Sequence, residues 1–216
     1  MRIDASHASS RNGNESKGRR SQAERSRATR SLIARTAFEQ IRDQGYATFR
    51  VASVATAAGV STGALTHHFD TKEDIALSAI EYALELAQTR TERNIAAFEA
   101  NADADPVGAF LQECSDYYFS ASFDVAMDVV KSASGVPELT RTIARLHRQY
   151  RAFVESQWLQ ELIAAGWVEA DARDVIDLSA SVVRGFAIRA MIRPDRSDLE
   201  RLMSRWRCIM ESHFES

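Results

Sequence analysis

Apolar residues between positions 51 and 69 recur with the period of two short helices. The first helix is predicted from four apolar residues at the spacing i, i+3, i+4 and i+7, namely Val51, Val54, Ala55 and Ala58. Gly59 follows at the position where a left-handed helix end favours a residue without a Cβ. Ser61 then offers a hydroxyl as the N-cap of a second helix, in which Leu65 and Phe69 share one face. The pattern predicts two helices joined by a tight turn.

The opposite face of the second helix is polar, and most of its side chains are small. Thr62, Gly63, Thr66 and His67 are left on this outward face, away from Leu65. An exposed helical face of this kind fits the major groove of DNA, where side chains can reach base edges. The stretch therefore predicts a helix-turn-helix that binds DNA.

The rest of the chain predicts further helices and no strands. Proline and glycine are scarce, with 3 and 9 residues among 216, and the apolar positions keep a helical period. Thr71 is a candidate N-cap, while Gly166 and Pro194 are candidate helix ends. The predicted helices outside this stretch cover 26–44, 72–100, 107–120, 122–134, 138–165, 171–191 and 196–213. We expect an all-α protein with an N-terminal three-helix unit and a larger helical domain.

The helix-turn-helix stretch also carries a family motif. It reads A-G-V-S-x-G-x-L-x-x-H-F-x-x-K-E, which resembles the N-terminal signature of TetR-family transcriptional regulators. The matching residues are Ala58, Gly59, Val60, Ser61, Gly63, Leu65, His68, Phe69, Lys72 and Glu73. The resemblance is close over residues 25–75 and rests on length and helical pattern beyond them. It departs at Thr66, where the family usually has a phosphate-contacting Tyr, and at Arg50, where a Thr often begins the helix.

The outward face and the resemblance together predict a DNA-contacting surface. The expected phosphate contacts, which position the protein without specifying a sequence, are Arg50, Ser61, Thr66 and Lys72. The expected base-edge contacts are Thr62, Ala64 and His67. Gly63 is also expected to belong to the DNA-binding surface. Lys72 lies in the first turn of a helix, where a cation is unfavourable, so we expect it to have a partner outside that helix, such as a phosphate. His68 is expected to be half-buried and to brace the helix.

Charge is distributed unevenly along the chain. Residues 1–70 contain 11 Lys and Arg against 6 Asp and Glu, and residues 71–216 contain 16 against 24, so the net charge of −3 divides into +5 and −8. A basic N-terminal part suits contact with phosphates. We expect a flexible basic tail over 1–22, a DNA-binding domain over 23–71 and an effector-binding and dimerisation domain over 72–216. The tail is either free in solution or in contact with the adjacent minor groove.

Aromatic and sulfur-containing side chains gather between positions 98 and 127. By resemblance, this helical domain holds a small effector in a cavity, and such cavities are mostly apolar. The candidate lining residues are Phe98, Phe110, Tyr117, Tyr118, Phe123 and Met127. Gln112 is a candidate polar anchor. We expect only one of Tyr117 and Tyr118 to line the cavity, because neighbours on a helix point about 100° apart. The alternative is that these residues form ordinary core.

Two long predicted helices, 138–165 and 171–191, have the length of a pair that packs against a second copy of the chain. One stripe of the second helix contains Val175, Leu178, Val182, Gly185, Phe186 and Arg189. Glycine costs about 1 kcal/mol relative to alanine inside a helix, which favours a close helix contact at Gly185. The resemblance implies a four-helix bundle between two subunits. The alternative is that the stripe belongs to the internal core.

Other classes of protein lack support in the sequence. The chain contains no nucleophile elbow, zinc-protease or phosphate-loop motif, so we assign no catalytic residue and expect His147 to be a surface or interface residue. His67 and His68 are neighbours that point apart, so no metal site or cofactor is expected. Cys114 and Cys208 lack metal-ligand spacing and are expected to be reduced structural residues. With no membrane span or signal peptide, the chain is expected to be cytoplasmic.

These expectations combine into a homodimeric transcriptional regulator that binds an operator in double-stranded DNA. The first hypothesis is a repressor that a small-molecule effector releases from DNA. An activator or a corepressor-dependent regulator would share the fold and differ in which state binds DNA. A third hypothesis is a helical ligand-binding protein whose DNA-binding unit does not function, because Thr66 replaces the Tyr. DNA binding measured with and without effector separates the first two.

Overall fold

The computed structural model describes residues 21–133, 135–192 and 197–214, and these residues form nine helices and no strand. The helices are α1 (Gln22–Gln44), α2 (Val51–Ala57), α3 (Thr62–His68), α4 (Lys72–Glu99), α5 (Pro106–Tyr118), α6 (Ala121–Ser132), α7 (Pro137–Ala164), α8 (Glu169–Ile192) and α9 (Leu199–Phe214). The predicted all-α fold is confirmed. Residues 1–20 of the predicted tail and the predicted helix end at Pro194 lie outside the described residues.

Local capping chemistry determines where several helices begin and end. α1 begins at Gln22 rather than at the predicted Ser26, because Ser21 and Glu24 each accept a hydrogen bond from the other's backbone N–H in a capping box. Thr71 caps α4 as predicted. Gly59 has φ +66°, the left-handed conformation predicted for the end of α2.

Two apolar clusters hold the described helices together. The first joins α1, α2 and α3 to the beginning of α4, and it includes Val129 of α6 and Ile143 of α7. The second joins α5, α8 and α9 to the remaining parts of α4 and α7, around Trp158 and Phe110. α4 contributes residues to both clusters. A shift of α4 in one cluster therefore changes the packing of the other.

The predicted stripe of α8 is divided between the core and the surface. Val175 is fully buried, whereas Leu178 is 45 % exposed. Gly185 is exposed, and a Cβ added there would meet no atom within 4 Å. Val175 therefore belongs to the internal core and was wrongly grouped with the outward positions. Among the described residues, no contact accounts for a glycine at position 185.

Candidate nucleic-acid interface and internal cavity

α3 presents its predicted polar face to solvent. Ser61 caps the helix by accepting a hydrogen bond from the backbone N–H of Ala64 at 3.1 Å. Leu65 and Phe69 are buried against the first cluster. The outward residues that are exposed are Thr62, Gly63, Ala64, Thr66 and His67. The helix is thus fixed by one face and free on the other.

The C-terminal end of α3 is held by Arg30, a residue without a recognisable signal in the sequence. The Arg30 guanidinium of α1 donates to the backbone oxygen of His68 at 3.1 Å. It also lies 4.5 Å from the centroid of the Phe69 ring, as a cation over an aromatic face. His68 itself is half-buried, as expected. Arg30 therefore fixes the orientation of α3 relative to α1.

Thr66 and Arg50 are the two residues that depart from the family pattern, and each donates hydrogen bonds within the chain. Thr66 Oγ1 donates its single proton to the backbone oxygen of Gly63 at 3.1 Å, which leaves the oxygen as an acceptor. Arg50 precedes α2 without capping it. Its Nη1 donates to the carbonyls of Ala47 and Phe49, each at 3.2 Å. A guanidinium has five N–H donors, so exposed Arg50 keeps donors for another partner.

Lys72 has the predicted partner outside its helix, and that partner belongs to the same chain. Its Nζ donates to the backbone oxygen of Tyr46 at 3.2 Å. The ammonium also lies 4.3 Å from the centroid of the Tyr46 ring and 5.6 Å from that of Phe49. Burial, and then the charge of Arg50, lowers the pKa of Lys72. An ammonium has three donors, so a phosphate would share Lys72 with the Tyr46 carbonyl.

The same turn is also held by α6. The carboxylate of Asp128 accepts a hydrogen bond from the backbone N–H of Tyr46 at 2.6 Å. Tyr46 is therefore bound from one side by Lys72 of α4 and from the other by Asp128 of α6. We call Lys72, Tyr46 and Asp128 the turn clamp. It ties the helix-turn-helix to two helices of the larger domain.

A cavity that is partly open to solvent lies between α5, α7 and α8. It contains about 30 Å³ of free space, which is room for about two water molecules. Of the predicted lining residues, Phe110, Tyr117 and Tyr118 do line it. Both tyrosines do so, because their rings pack edge to face with centroids 5.2 Å apart. The expectation that only one of them would reach the cavity is therefore wrong.

The other predicted lining residues pack around the cavity and do not line it. Phe98 packs against the Trp158 ring at 5.6 Å between centroids. Phe123 packs against Tyr118 at 5.1 Å, and Met127 is a partly buried side chain of the second cluster. These residues are ordinary core. Gln112 is exposed and donates to Asp116 at 2.7 Å, so it is not an anchor inside the cavity.

The polar lining of the cavity was not predicted from the sequence. The missed residues include Glu113 and Cys114 of α5 and His147, Tyr150 and Arg151 of α7. His147 was expected to be a surface or interface residue; it is partly buried and faces the cavity, and burial lowers the pKa of its imidazole. Their spacing carries no recognisable motif, and only their helical phase relative to neighbouring helices could have identified them.

A buried hydrogen-bond network connects the cavity to α4. Glu113 is 1 % exposed, and burial raises the pKa of its carboxyl group. Thr91 Oγ1 donates to one carboxylate oxygen at 2.7 Å, and Asn94 Nδ2 donates to the other at 2.9 Å. The hydroxyl of Tyr150 lies 3.3 Å from Thr91 Oγ1. The network therefore joins α4, α5 and α7 around one carboxylate.

Exposed apolar side chains mark the outer faces of α8 and α9. On α8, Leu178, Ile188 and Ile192 are 45 %, 41 % and 78 % exposed, and on α9 Ile209 is 48 % exposed. The outer face of α7 is mainly polar, and exposed arginines such as Arg145 lie on it. The apolar surface thus extends along α8 and α9 more than along the predicted pair α7 and α8.

The described residues bear on three expectations, namely no metal site, no membrane span and two structural cysteines. Within them, no group of His, Cys, Asp and Glu has the arrangement of a metal site. None of the helices described is long and apolar enough to cross a bilayer. Both cysteines are free, but only Cys114 is buried, so the expectation of a structural role for Cys208, which is exposed, lacks support.

Sequence comparison shows which known proteins this chain is similar to. Residues 33–79 match the family model described as "Bacterial regulatory proteins, tetR family". The HTH-type transcriptional regulator CymR of Pseudomonas putida is 33 % identical over 162 residues, which cover 75 % of this chain and 79 % of that protein.

Solved structures agree on the fold. A transcriptional regulator from Rhodococcus sp. Rha1 superposes with a TM-score of 0.65 at 22 % identity, covering 85 % of this chain and 96 % of that one. A regulator from Saccharomonospora viridis, solved in complex with choline, superposes with a TM-score of 0.63 at 17 % identity, covering 87 % and 97 %.

Proposed function

This chain belongs to the TetR family of bacterial transcriptional regulators, and we propose from that premise that it is a homodimeric repressor which a small-molecule effector releases from its operator. The observation that carries the proposal is the exposed polar face of α3, held rigidly by Leu65, Phe69 and Arg30. Such a protein acts on chromosomal DNA, which would place it in the cytoplasm. The proposed division is a tail over 1–22, a DNA-binding domain over 23–71 and an effector and dimer domain over 72–216.

The proposed DNA contacts follow from the position of each side chain. Phosphate contacts are assigned to Arg50, Ser61, Thr66 and Lys72. Thr66 would make its contact by turning its hydroxyl proton from the Gly63 carbonyl to the phosphate. Base-edge contacts are assigned to Thr62, Ala64 and His67. Within the described part of the chain, a Cβ on Gly63 would meet only Ser61 Oγ, at 4.0 Å, so no described neighbour requires a glycine there. A close approach to the DNA backbone would account for it.

Dimerisation is proposed through the outward apolar faces of α8 and α9. Leu178, Ile188 and Ile209 are large apolar residues left exposed in the single chain, and covering them with a second copy removes that surface from water. A two-fold dimer would present two α3 helices to half-sites about one DNA turn, roughly 34–36 Å, apart or a multiple of it.

The cavity between α5, α7 and α8 is the proposed effector site. The similar regulator from Saccharomonospora viridis was solved with choline, which supports a small-molecule site in this fold. Here the cavity touches the Glu113 network, and that network includes Thr91 of α4. An effector that separates α5 from α4 would shift α4. Because Lys72 of α4 binds the Tyr46 carbonyl, the helix-turn-helix would move with it. Affinity for DNA would then fall by linkage.

The proposal is tested by DNA binding of the full-length protein. Fluorescence anisotropy with the duplex upstream of its own gene should give tight, salt-dependent binding, and a random duplex should bind far more weakly. A bound effector should lower operator affinity. Tighter binding with effector would identify a corepressor-dependent regulator or an activator. Absence of any binding to DNA would support the hypothesis of a ligand-binding protein whose DNA-binding unit does not function. The Thr66 hydroxyl, which is bonded inside the chain, is the observation consistent with that hypothesis.

A further inference from the structure

The walls of the cavity differ in their exposure to solvent. The lining residues that α5 and α8 contribute are buried. Four lining residues are partly exposed, and all four belong to α7, namely His147, Arg151, Val154 and Glu155. The opening of the cavity to solvent therefore lies along α7.

A second, smaller hollow lies directly outside the cavity, between α7 and α8. It contains about 80 Å³ of free space, and its lining consists of Glu155, Leu159, Arg173, Ile176 and Asp177. Glu155 and Ile176 also line the cavity, so the two spaces meet at these side chains. We call this junction the cavity mouth. A molecule that enters here passes between α7 and α8.

One guanidinium spans the two helices at the cavity mouth. Arg151 of α7 lines the cavity and forms ion pairs with Glu155 of α7 and Asp177 of α8. The pair with Glu155 stays within one helix, whereas the pair with Asp177 joins α7 to α8. The side chain of Arg151 is 34 % exposed and that of Asp177 is 63 % exposed. An ion pair so exposed is weak enough to break and re-form without unfolding of the helices.

Tyr150 marks an alternative entrance, because it lines both the cavity and a groove between α4 and α7. Its side chain is buried, and its hydroxyl lies 3.3 Å from Thr91 Oγ1 in the Glu113 network. Moving Tyr150 aside would break a buried hydrogen bond, which costs more than breaking a solvent-exposed ion pair. The observations therefore favour the entrance beside Arg151.

We propose that Arg151 gates the cavity: its guanidinium, held by Asp177, closes the cavity mouth, and small molecules enter or leave when that ion pair breaks. The side chains at the mouth are the partly exposed ones, which can move more freely than the buried wall on α5. This inference rests on the proposed function, in which the cavity is the effector site, and it names the contact that controls how fast an effector is exchanged.

The thiol of Cys114 reports whether the mouth is open, because it lines the cavity and is 4 % exposed. In the full-length protein with Cys208→Ser, Cys114 is the single thiol. Methyl methanethiosulfonate transfers a methylthio group to a thiol, and intact-protein mass spectrometry follows the reaction over time. Cys208, which is exposed, gives the rate of an unhindered thiol in Cys114→Ser. Labelling of Cys114 as fast as that of Cys208 would overturn the proposal.

Three variants in the Cys208→Ser background test the gate. Asp177→Asn removes the charge that holds Arg151 and should accelerate labelling of Cys114 about threefold, within the range expected for one exposed ion pair. Asp177→Glu keeps the charge and should restore the slow rate. Asp198→Asn is the matched control, because Asp198 pairs with Arg201 and its side chain is 60 % exposed, but neither residue lines the cavity or the hollow. It should leave the rate unchanged.

A larger reagent separates a wider mouth from a more reactive thiol. Benzyl methanethiosulfonate needs more room, so Asp177→Asn should accelerate its reaction more than that of the methyl reagent. Equal acceleration of both reagents would indicate a change in the thiol or in overall stability and would contradict the gate. An unchanged rate in Asp177→Asn, including no labelling in any variant, would also overturn it, and the entrance beside Tyr150 would then be favoured.

The benzylthio group on Cys114 also tests the proposed function by a separate measurement. The group occupies the cavity, and fluorescence anisotropy with the duplex upstream of the protein's own gene shows whether the labelled protein is released from DNA. Gated labelling without release supports the gate and contradicts the effector role of the cavity. Release with labelling that is insensitive to Asp177→Asn contradicts the gate and supports the effector role. Gated labelling with release supports both.

Discussion

At the scale of residues, α3 separates side chains that hold the helix from side chains that face outward. Leu65 and Phe69 are buried, and Arg30 binds the last carbonyl of the helix. His67 is exposed, and among the described residues its ring contact is with the neighbouring His68 rather than with α1. Its ring lies 5.6 Å from that of His68, between centroids, at the solvent side. Substitution of His67 should therefore affect DNA recognition and leave folding unchanged.

We predict that His67→Ala weakens binding to the true operator by about 1–2 kcal/mol, because a base-edge contact is lost. Binding to random DNA should change little. Fluorescence anisotropy with both duplexes at one fixed salt concentration measures the two effects. Equal losses of affinity for both duplexes would show that His67 does not contact base edges.

Lys72 has a different role, because its ammonium group also stabilises the Tyr46 turn. We predict that Lys72→Ala weakens binding to operator and random DNA about equally and lowers the salt slope by about 1. It should also destabilise the fold by about 1 kcal/mol through the lost cation–π contact.

Arg50→Ala is the matched control for Lys72→Ala, since Arg50 is exposed and, among the described residues, donates to the nearby carbonyls of Ala47 and Phe49. It should lower the salt slope and leave the thermal unfolding midpoint nearly unchanged. Lys72→Ala with wild-type stability would show that the contacts with Tyr46 contribute little.

At the scale of elements, the turn clamp makes α6 part of the DNA-binding end of the molecule. Asp128 of α6 accepts from the backbone of Tyr46, and Val125 and Val129 of the same helix pack in the first cluster. The N-terminal end of α6 follows Tyr117 and Tyr118 by only a short turn. A displacement of these tyrosines by a ligand would therefore move α6 and reach the turn directly. This route is additional to the one through α4.

We predict that Asp128→Ala exposes the backbone N–H of Tyr46 to hydrogen exchange and lowers stability by about 1–3 kcal/mol, as expected for loss of a charge-assisted hydrogen bond. Asp128→Asn keeps an acceptor oxygen and should retain most of the protection. Exchange measured by NMR reports the Tyr46 amide, and thermal unfolding reports stability. Full protection in Asp128→Ala would show that α6 does not hold the turn.

The elements themselves could be predicted from the sequence because their signals are local. Thr71 caps α4 and Gly59 ends α2, and both are read from neighbouring residues alone. The cavity could be predicted only in part, since its lining depends on how separate helices rotate against one another. Glu113 illustrates the limit: a glutamate usually indicates a solvent face, but here the packing of α5 against α4 buries it beside Thr91.

At the scale of the whole molecule, the single chain leaves an apolar surface on α8 and α9 uncovered. Ile192 and Ile209 are 78 % and 48 % exposed. Trp206 of α9 donates to Ser179 of α8 at 3.0 Å, so the two helices are held together before any second copy binds. A preformed pair of helices loses little freedom on association, which favours a stable dimer.

We predict that Gly185→Leu produces monomers or a marked loss of dimer affinity. The added side chain meets open space in the single chain, so the fold should tolerate it, and leucine favours a helix more than glycine. A light-scattering mass measured across a dilution series reports the dimer. Ala152→Leu, on the exposed outer face of α7, is the matched control and should stay dimeric. If Gly185→Leu remains a dimer, the face of α8 that contains Gly185 is not part of the dimer interface.

The attachment of α3 has a consequence for changing the DNA sequence that this protein recognises. The helix has only seven residues, too few to persist alone, and it takes its rigidity from Leu65, Phe69 and Arg30. Thr62, Ala64 and His67 add nothing to that rigidity. They can be exchanged together in a library without loss of folding, so operator preference can be evolved separately from stability and from the response to a ligand.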